Sequence, residues 1–206
     1  MIVLIDYGMG NLRSVGWALE RIGGKVQITS DPKEIEKASA LVLPGVGSFS
    51  QAMKNLRNMG ILSSLVNGIN DGKPFLGICL GLQLLFTESD EEGLHQGLDL
   101  LKGRVRRFEG DMKIPHMGWN QIKVKSQKSK IKILEGIPDG SYFYFVHSYY
   151  VEPEDKSIIV ATTDYGTEFV SLIHKANIYA TQFHPEKSHY TGLQVMKNFV
   201  RLQDAG

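Results

Sequence analysis

Short apolar runs alternate with helical periods through the first half of the chain. Residues 2–5 (IVLI) form a continuous apolar run of strand length. Leu12, Val15, Leu19 and Ile22 then recur at helical spacing until Gly23-Gly24 stops them. Residues 26–29 and 40–43 read as further strands, and Asp31-Pro32 opens a short helix between them. The stretch 51–70 is helical in two pieces broken near Gly60. Residues 75–78 make a strand that runs straight into apolar positions at helical spacing over 80–86. Strands buried on both faces, with helices between them, predict a covered parallel sheet.

The second half is richer in strands, expected at 105–108, 121–124, 142–146, 158–163, 169–174 and 178–181. A helix over 191–202 closes the chain, and 93–97 and 109–118 read as exposed loops. With no internal repeat and no dividing linker, the expectation is one α/β domain over 1–206. Its central, mostly parallel sheet is flanked by helices and extended by an antiparallel portion.

Composition narrows the function classes. A hydrophobic content of 42% over 206 residues supports one sizeable core. With 23 Lys and Arg against 22 Asp and Glu, the formal charge is +1, which argues against a protein that lives on phosphate neutralisation. A single cysteine excludes an internal disulfide framework and a Cys-based zinc cluster. The start Met-Ile-Val-Leu-Ile-Asp has no basic n-region, and no apolar run nears the ~18 residues of a membrane span. A cytoplasmic protein with a reduced thiol, and with neither nucleic acid nor membrane as partner, is expected.

The lone cysteine stands in Gly77-Ile78-Cys79-Leu80-Gly81, a Gly-x-nucleophile-x-Gly pattern at a strand-to-helix junction. A nucleophile on so sharp a turn takes a strained backbone, and side chains two residues either way would collide with neighbouring elements. Burial is the usual fate of a free intracellular cysteine, but the flanking glycines favour the nucleophile. A helix starting at Leu80 would support thiolate through its dipole, and Leu80 N–H would point toward a developing oxyanion. A thiolate needs a base, and the base needs a group to hold its tautomer. Gln182-Phe183-His184-Pro185-Glu186 follows the strand ending at Thr181, and Pro185 biases His184 toward an extended backbone. Strand ends at the carboxyl edge of a parallel sheet can bring His184, Glu186 and Cys79 together. The loop Leu43-Pro44-Gly45-Val46-Gly47-Ser48 also follows a strand, and its glycines allow close approach of the Val46 or Gly47 N–H as a second oxyanion donor.

Two other patterns lose weight on inspection. Gly8-x-Gly10 after the first strand suggests a dinucleotide fingerprint, but Arg13 stands where the third glycine belongs. The basic run 123–130 lacks interleaved aromatics and reads as a solvated hairpin.

Taken together, residues 77–83 (GICLGLQ), His184-Pro185-Glu186 and Pro44-Gly45-Val46-Gly47 resemble the triad-type (class I) glutamine amidotransferases. Segments 6–11 (DYGMGN), 115–120 (PHMGWN), 145–149 (FVHSY) and 183–188 (FHPEKS) are similar to the branch serving histidine biosynthesis. The resemblance implies hydrolysis of L-glutamine by Cys79, His184 and Glu186, with no metal or organic cofactor. It implies a heterodimer with a cyclase subunit, a (β/α)8 barrel, that receives the ammonia. It also implies that Gln83 and Glu91 hold the glutamine and that backbone at His147, Ser148 and Tyr149 lines its site. On composition alone, Glu91 belongs to a solvated acidic run, 88–92. Ammonia must not escape to water, so the partner is expected over the sheet edge carrying Cys79. That face would be framed by exposed loops at Asn11 and Arg13 and at Met117, Trp119 and Asn120. The alternatives are the glutaminase subunit of another amidotransferase and a free-standing cysteine hydrolase. Gln83 and the Trp119 segment speak against the latter.

Overall fold

The computed structural model describes residues 1–125 and 131–203. The apolar run Ile2–Ile5 is strand β1, followed by α1 (Leu12–Arg21), β2 (Val26–Thr29), α2 (Pro32–Lys37) and β3 (Ala40–Gly45). Side chains start these helices as their sequence suggests. Asn11 accepts from Ser14 N–H at the head of α1, and Asp31 accepts from Lys33 N–H before Pro32. The long helical stretch divides into α3 (Phe49–Asn58) and α4 (Leu62–Asn70), with Gly60 at φ +69 between them. Strand β4 (Phe75–Cys79) follows.

Leu80–Gln83 is a single helical turn, α5, rather than a helix reaching residue 86. Leu82, Leu84, Leu85 and Phe86 are all fully buried, so this segment has no solvent face along which a helix could continue. The chain instead leaves as strand β5 (Phe86–Ser89), which the apolar spacing did not reveal. Strands β6 (His95–Gln96) and β7 (Leu101–Arg107) follow, so 93–97 is not wholly loop. Nor is 109–118, because β8 (His116–Gln121) begins within it. Then come β9 (Lys123–Val124), β10 (Tyr142–His147), β11 (Tyr149–Pro153), β12 (Ile159–Asp164), β13 (Glu168–Lys175), β14 (Ile178–Thr181) and α6 (His189–Gln203). The hairpin expected over 123–130 falls largely on 126–130, outside the described residues.

The central sheet runs β2-β1-β3-β4-β14-β13-β12-β9. Its pairs from β2 to β14 are parallel, and those beyond β14 are antiparallel. Smaller sheets, β11-β7-β5-β6 and β10-β8, complete the second half. This is an α/β domain with a mostly parallel sheet and an antiparallel extension. Alternate residues of one strand feed opposite cores. Val3 and Ile5 pack with Ile35, Phe49 and Leu65, whereas Ile2 and Leu4 pack with Val15, Leu19, Val195 and Phe199. That is why β1 reads as an unbroken apolar run. The register places Gly45 opposite Cys79 and Thr181 opposite Ile78, so three loops emerge side by side at one edge.

Candidate active site

Cys79 ends β4 with φ +55 and ψ −104, a left-handed backbone that costs a non-glycine residue about 1–3 kcal/mol. The two glycines make this turn possible by close approach. A Cβ at Gly81 would lie 1.9 Å from Leu43 O, and one at Gly77 would lie 2.7 Å from Gly81 O. The side chain is buried but reaches a cavity of about 410 Å³, lined also by Val46, Gly47 and Leu80. In the adjacent loop the two glycines serve different ends. Gly47 takes a positive φ of +96, whereas Gly45 is needed for space: a Cβ there would lie 2.5 Å from Tyr7 Oη and 2.7 Å from Leu80 Cβ. Tyr7 Oη donates to Pro44 O at 2.8 Å and pins the loop from beneath.

His184 follows β14 with the extended backbone expected before proline, φ −96 and ψ 95. Its N–H donates to Tyr144 O at 2.9 Å, and its carbonyl accepts from Ser188 Oγ at 2.6 Å. Ser188 Oγ in turn accepts from Tyr144 N at 2.9 Å, so β10 holds this turn. His184 Nδ1 lies 2.9 Å from Glu186 Oε1, both side chains being buried. A carboxylate only accepts, so the shared proton belongs to Nδ1, and Nε2 is the atom left to serve the thiol. Nε2 has no hydrogen-bond partner among the described residues. Burial works against a charge on His184, but Cys79 and then Glu186 outweigh it and push its pKa up to about 10. The ring of His184 is therefore held in its protonated form. A one-turn α5 has little dipole to offer, so the positive charge facing Cys79 is that of His184 and not of the helix expected at Leu80.

The cavity is also lined by Gln83, Glu91, His147, Ser148 and Tyr149. Glu91 is drawn out of its acidic run to accept from Phe49 N–H at 2.5 Å, and burial raises its pKa against that hydrogen bond. Gln83 Nε2 donates to Tyr149 O at 3.0 Å and to Gln182 Oε1 at 3.2 Å. Both its N–H groups are thus spent internally, leaving Oε1 as the atom of that amide available to a ligand. A larger depression of about 510 Å³ lies elsewhere, lined by Lys125, Tyr150, Glu152 and Glu168 among others, and it contains neither cysteine nor histidine.

Two features have no forecast in the sequence. Gln182 Nε2 lies 3.6 Å from Cys79 Sγ, and a lone glutamine beside a catalytic motif carries no chemical signature. His116 and His147 form a buried pair, Nδ1 to Nε2, 3.1 Å apart. His147 Nδ1 faces Tyr149 O at 2.8 Å and must donate, so its Nε2 accepts from His116.

The segment around Trp119 is a strand, not the loop that Pro115 and Gly118 suggest. Gly118 pairs with Phe145 and Trp119 with Tyr144, and side chains alternate between buried His116 and exposed Met117. Trp119 is 45% exposed and lies flat against His189, with ring centroids 4.9 Å apart. Asn11 and Arg13 are exposed at the start of α1. Asn120 is half-buried, and its amide donates to Asp164 O and contacts His116 Nε2.

Fold and site define an α/β protein with a cysteine elbow, a His-Glu couple and a small polar-lined cavity at the carboxyl edge of its sheet. The family model for class-I glutamine amidotransferases matches residues 3–202. An imidazole glycerol phosphate synthase subunit HisH from Syntrophotalea carbinolica is 52% identical over 206 residues, covering 97% of this chain and 98% of the relative. A subunit of the same name from Methanothermobacter thermautotrophicus is 54% identical over 203 residues, covering 98% of each. A solved glutamine amidotransferase superposes with a TM-score of 0.77 at 20% identity, covering 99% of this chain and all of that one, a likeness of fold. The chain belongs to the class I glutamine amidotransferases and, within them, to the HisH subunits of imidazole glycerol phosphate synthase.

The buried histidine pair sets a pH dependence of stability. Burial lowers the pKa of His116 to about 4 and that of His147 to about 3. Above pH 6.5 both are neutral, folded or unfolded. As pH falls below 6.5, the unfolded chain takes up protons that the fold refuses, so stability declines toward pH 4 and 3. Between pH 7.5 and 5, the melting temperature of the wild type should drop by roughly 4–8 °C more than that of His116→Gln. Equal drops would contradict a neutral, buried pair.

Proposed function

We propose that the chain is the glutaminase subunit of imidazole glycerol phosphate synthase. It hydrolyses L-glutamine to glutamate and ammonia and hands the ammonia to a cyclase partner in histidine biosynthesis. The observation that carries the chemistry is the Cys79 elbow on a cavity whose walls include Gln83 and Glu91, with the buried His184–Glu186 couple set against the same cysteine. Cys79 thiolate attacks the side-chain amide carbon of glutamine. Leu80 N–H, with the Val46 or Gly47 N–H from the β3 loop, stabilises the oxyanion. The C–N bond breaks as protonated His184 gives its proton to the departing nitrogen, leaving a thioester and ammonia. His184 then takes a proton from water, which attacks the thioester and releases glutamate and the thiolate. Glu186 holds the imidazole tautomer throughout. Gln83 and Glu91 bind the glutamine, along with backbone at His147, Ser148 and Tyr149.

The partner is a cyclase subunit with a (β/α)8 barrel, docked over the edge that carries Cys79. Trp119 and Met117 stand exposed on β8, and Asn11 and Arg13 are exposed at the end of the β1 loop. An exposed, stacked tryptophan suits an interface anchor better than a core plug. Asn120, with its amide engaged internally, would contribute to that face by holding β8 in place.

In the complex reconstituted with its cyclase, Cys79→Ala should lower glutamine-dependent synthesis by roughly 10³-fold or more while synthesis from ammonium salts persists. Glutamine turnover by that variant would remove Cys79 from the mechanism. Trp119→Ala should weaken cyclase binding by about 2 kcal/mol, roughly 30-fold in Kd, in a chain that still melts cooperatively. Unchanged binding by the folded variant, measured by calorimetry, would move the docking face elsewhere.

A further inference from the structure

Gln182 stands beside the reacting sulfur, and its neighbours fix which end of its amide faces that atom. The Tyr149 carbonyl only accepts, so the Gln83 atom 3.0 Å from it is Nε2. The same Nε2 lies 3.2 Å from the Gln182 side chain, which must therefore present Oε1 to it. With Oε1 committed, Gln182 turns Nε2 to Cys79 and donates to Sγ at 3.6 Å. The anchor of this chain is itself held, because His147 Nδ1 donates to the same Tyr149 carbonyl at 2.8 Å. Gln182 is fully buried, and its backbone N–H donates to Ser171 O at 2.9 Å, so the side chain has a rigid base.

Besides His184, the sulfur also faces the Val146 carbonyl at 3.7 Å. A carbonyl can accept only from the thiol, whereas an N–H favours the thiolate. We propose that Gln182 is a further catalytic residue, whose Nε2–H supports the Cys79 thiolate before attack and again when the thioester releases it. Gln83 is the positioning residue that keeps that amide from flipping. The turnover part of this role rests on the glutaminase reading, and the hydrogen bond to sulfur does not.

Gln182→Met keeps the length of the side chain without a donor, and Gln182→Glu turns an acceptor toward the sulfur. Alkylation of Cys79 by iodoacetamide at pH 7.5, in the isolated chain, should slow about tenfold in Gln182→Met and further in Gln182→Glu. In the reconstituted complex, kcat for glutamine-dependent synthesis should fall by a similar factor, with KM for glutamine within about threefold and ammonium-dependent synthesis unchanged. A folded Gln182→Met that alkylates within about twofold of wild type would overturn the proposal. Should neither variant fold, the wild type decides. A nuclear Overhauser contact between the Gln182 Nε2 hydrogens and Cys79 Hβ is expected, and its absence refutes the orientation. Slowed alkylation in variants of a wild type that hydrolyses no glutamine would sink the glutaminase reading and leave the hydrogen bond standing.

Discussion

The site depends on the setting of Cys79 against a buried, protonated His184, with the cysteine held on a left-handed backbone that it would not adopt alone. Burial by itself would keep the imidazole neutral. The charge on His184 is tolerated because Cys79 and Glu186 lie within reach in a medium that screens poorly. The rest of the arrangement keeps that pair in register. Glu186 occupies Nδ1, so that Nε2 remains for sulfur, and the Ser188–Tyr144 bonds hold the turn that carries the histidine.

The parallel sheet turns three sequence segments far apart in the chain into one site. Because β3, β4 and β14 are neighbours running in the same direction, their outgoing loops share an edge. The approach is close enough that a Cβ at Gly81 would overlap the Leu43 carbonyl, and one at Gly45 would overlap the Tyr7 hydroxyl. The strain stored at Cys79 is thus sustained by packing on both neighbouring strands.

Much of this was legible in the sequence, for physical reasons. Strands buried on both faces give continuous apolar runs, and that gave β1, β3, β4 and β14 without ambiguity. The juxtaposition of Cys79 with His184 and Glu186 follows from glycine spacing, from Pro185 and from the strand-end rule. What failed was periodicity in segments buried on all sides. Leu82 to Phe86 carries no polar face to mark where α5 stops and β5 starts. Pro115 and Gly118 disguised β8, whose alternation of His116, Met117, Gly118 and Trp119 is broken by a glycine. Glu91 looked like solvated charge because its partner, the Phe49 N–H, is distant in sequence. Gln182 and the His116–His147 pair leave no trace, since their meaning lies wholly in which neighbours the fold gives them.

The charge state of His184 tests the account most directly. A pKa raised above its unfolded value means that the ring keeps its proton as pH climbs past 6.5 and loses it only near 10. In ¹⁵N spectra at pH 8, both His184 ring nitrogens should carry protons in the wild type, and the ring should lose its charge in Cys79→Ala. A neutral His184 at pH 8 in the wild type, or a charge indifferent to the loss of Cys79, would contradict a protonated imidazole held by Cys79 and Glu186.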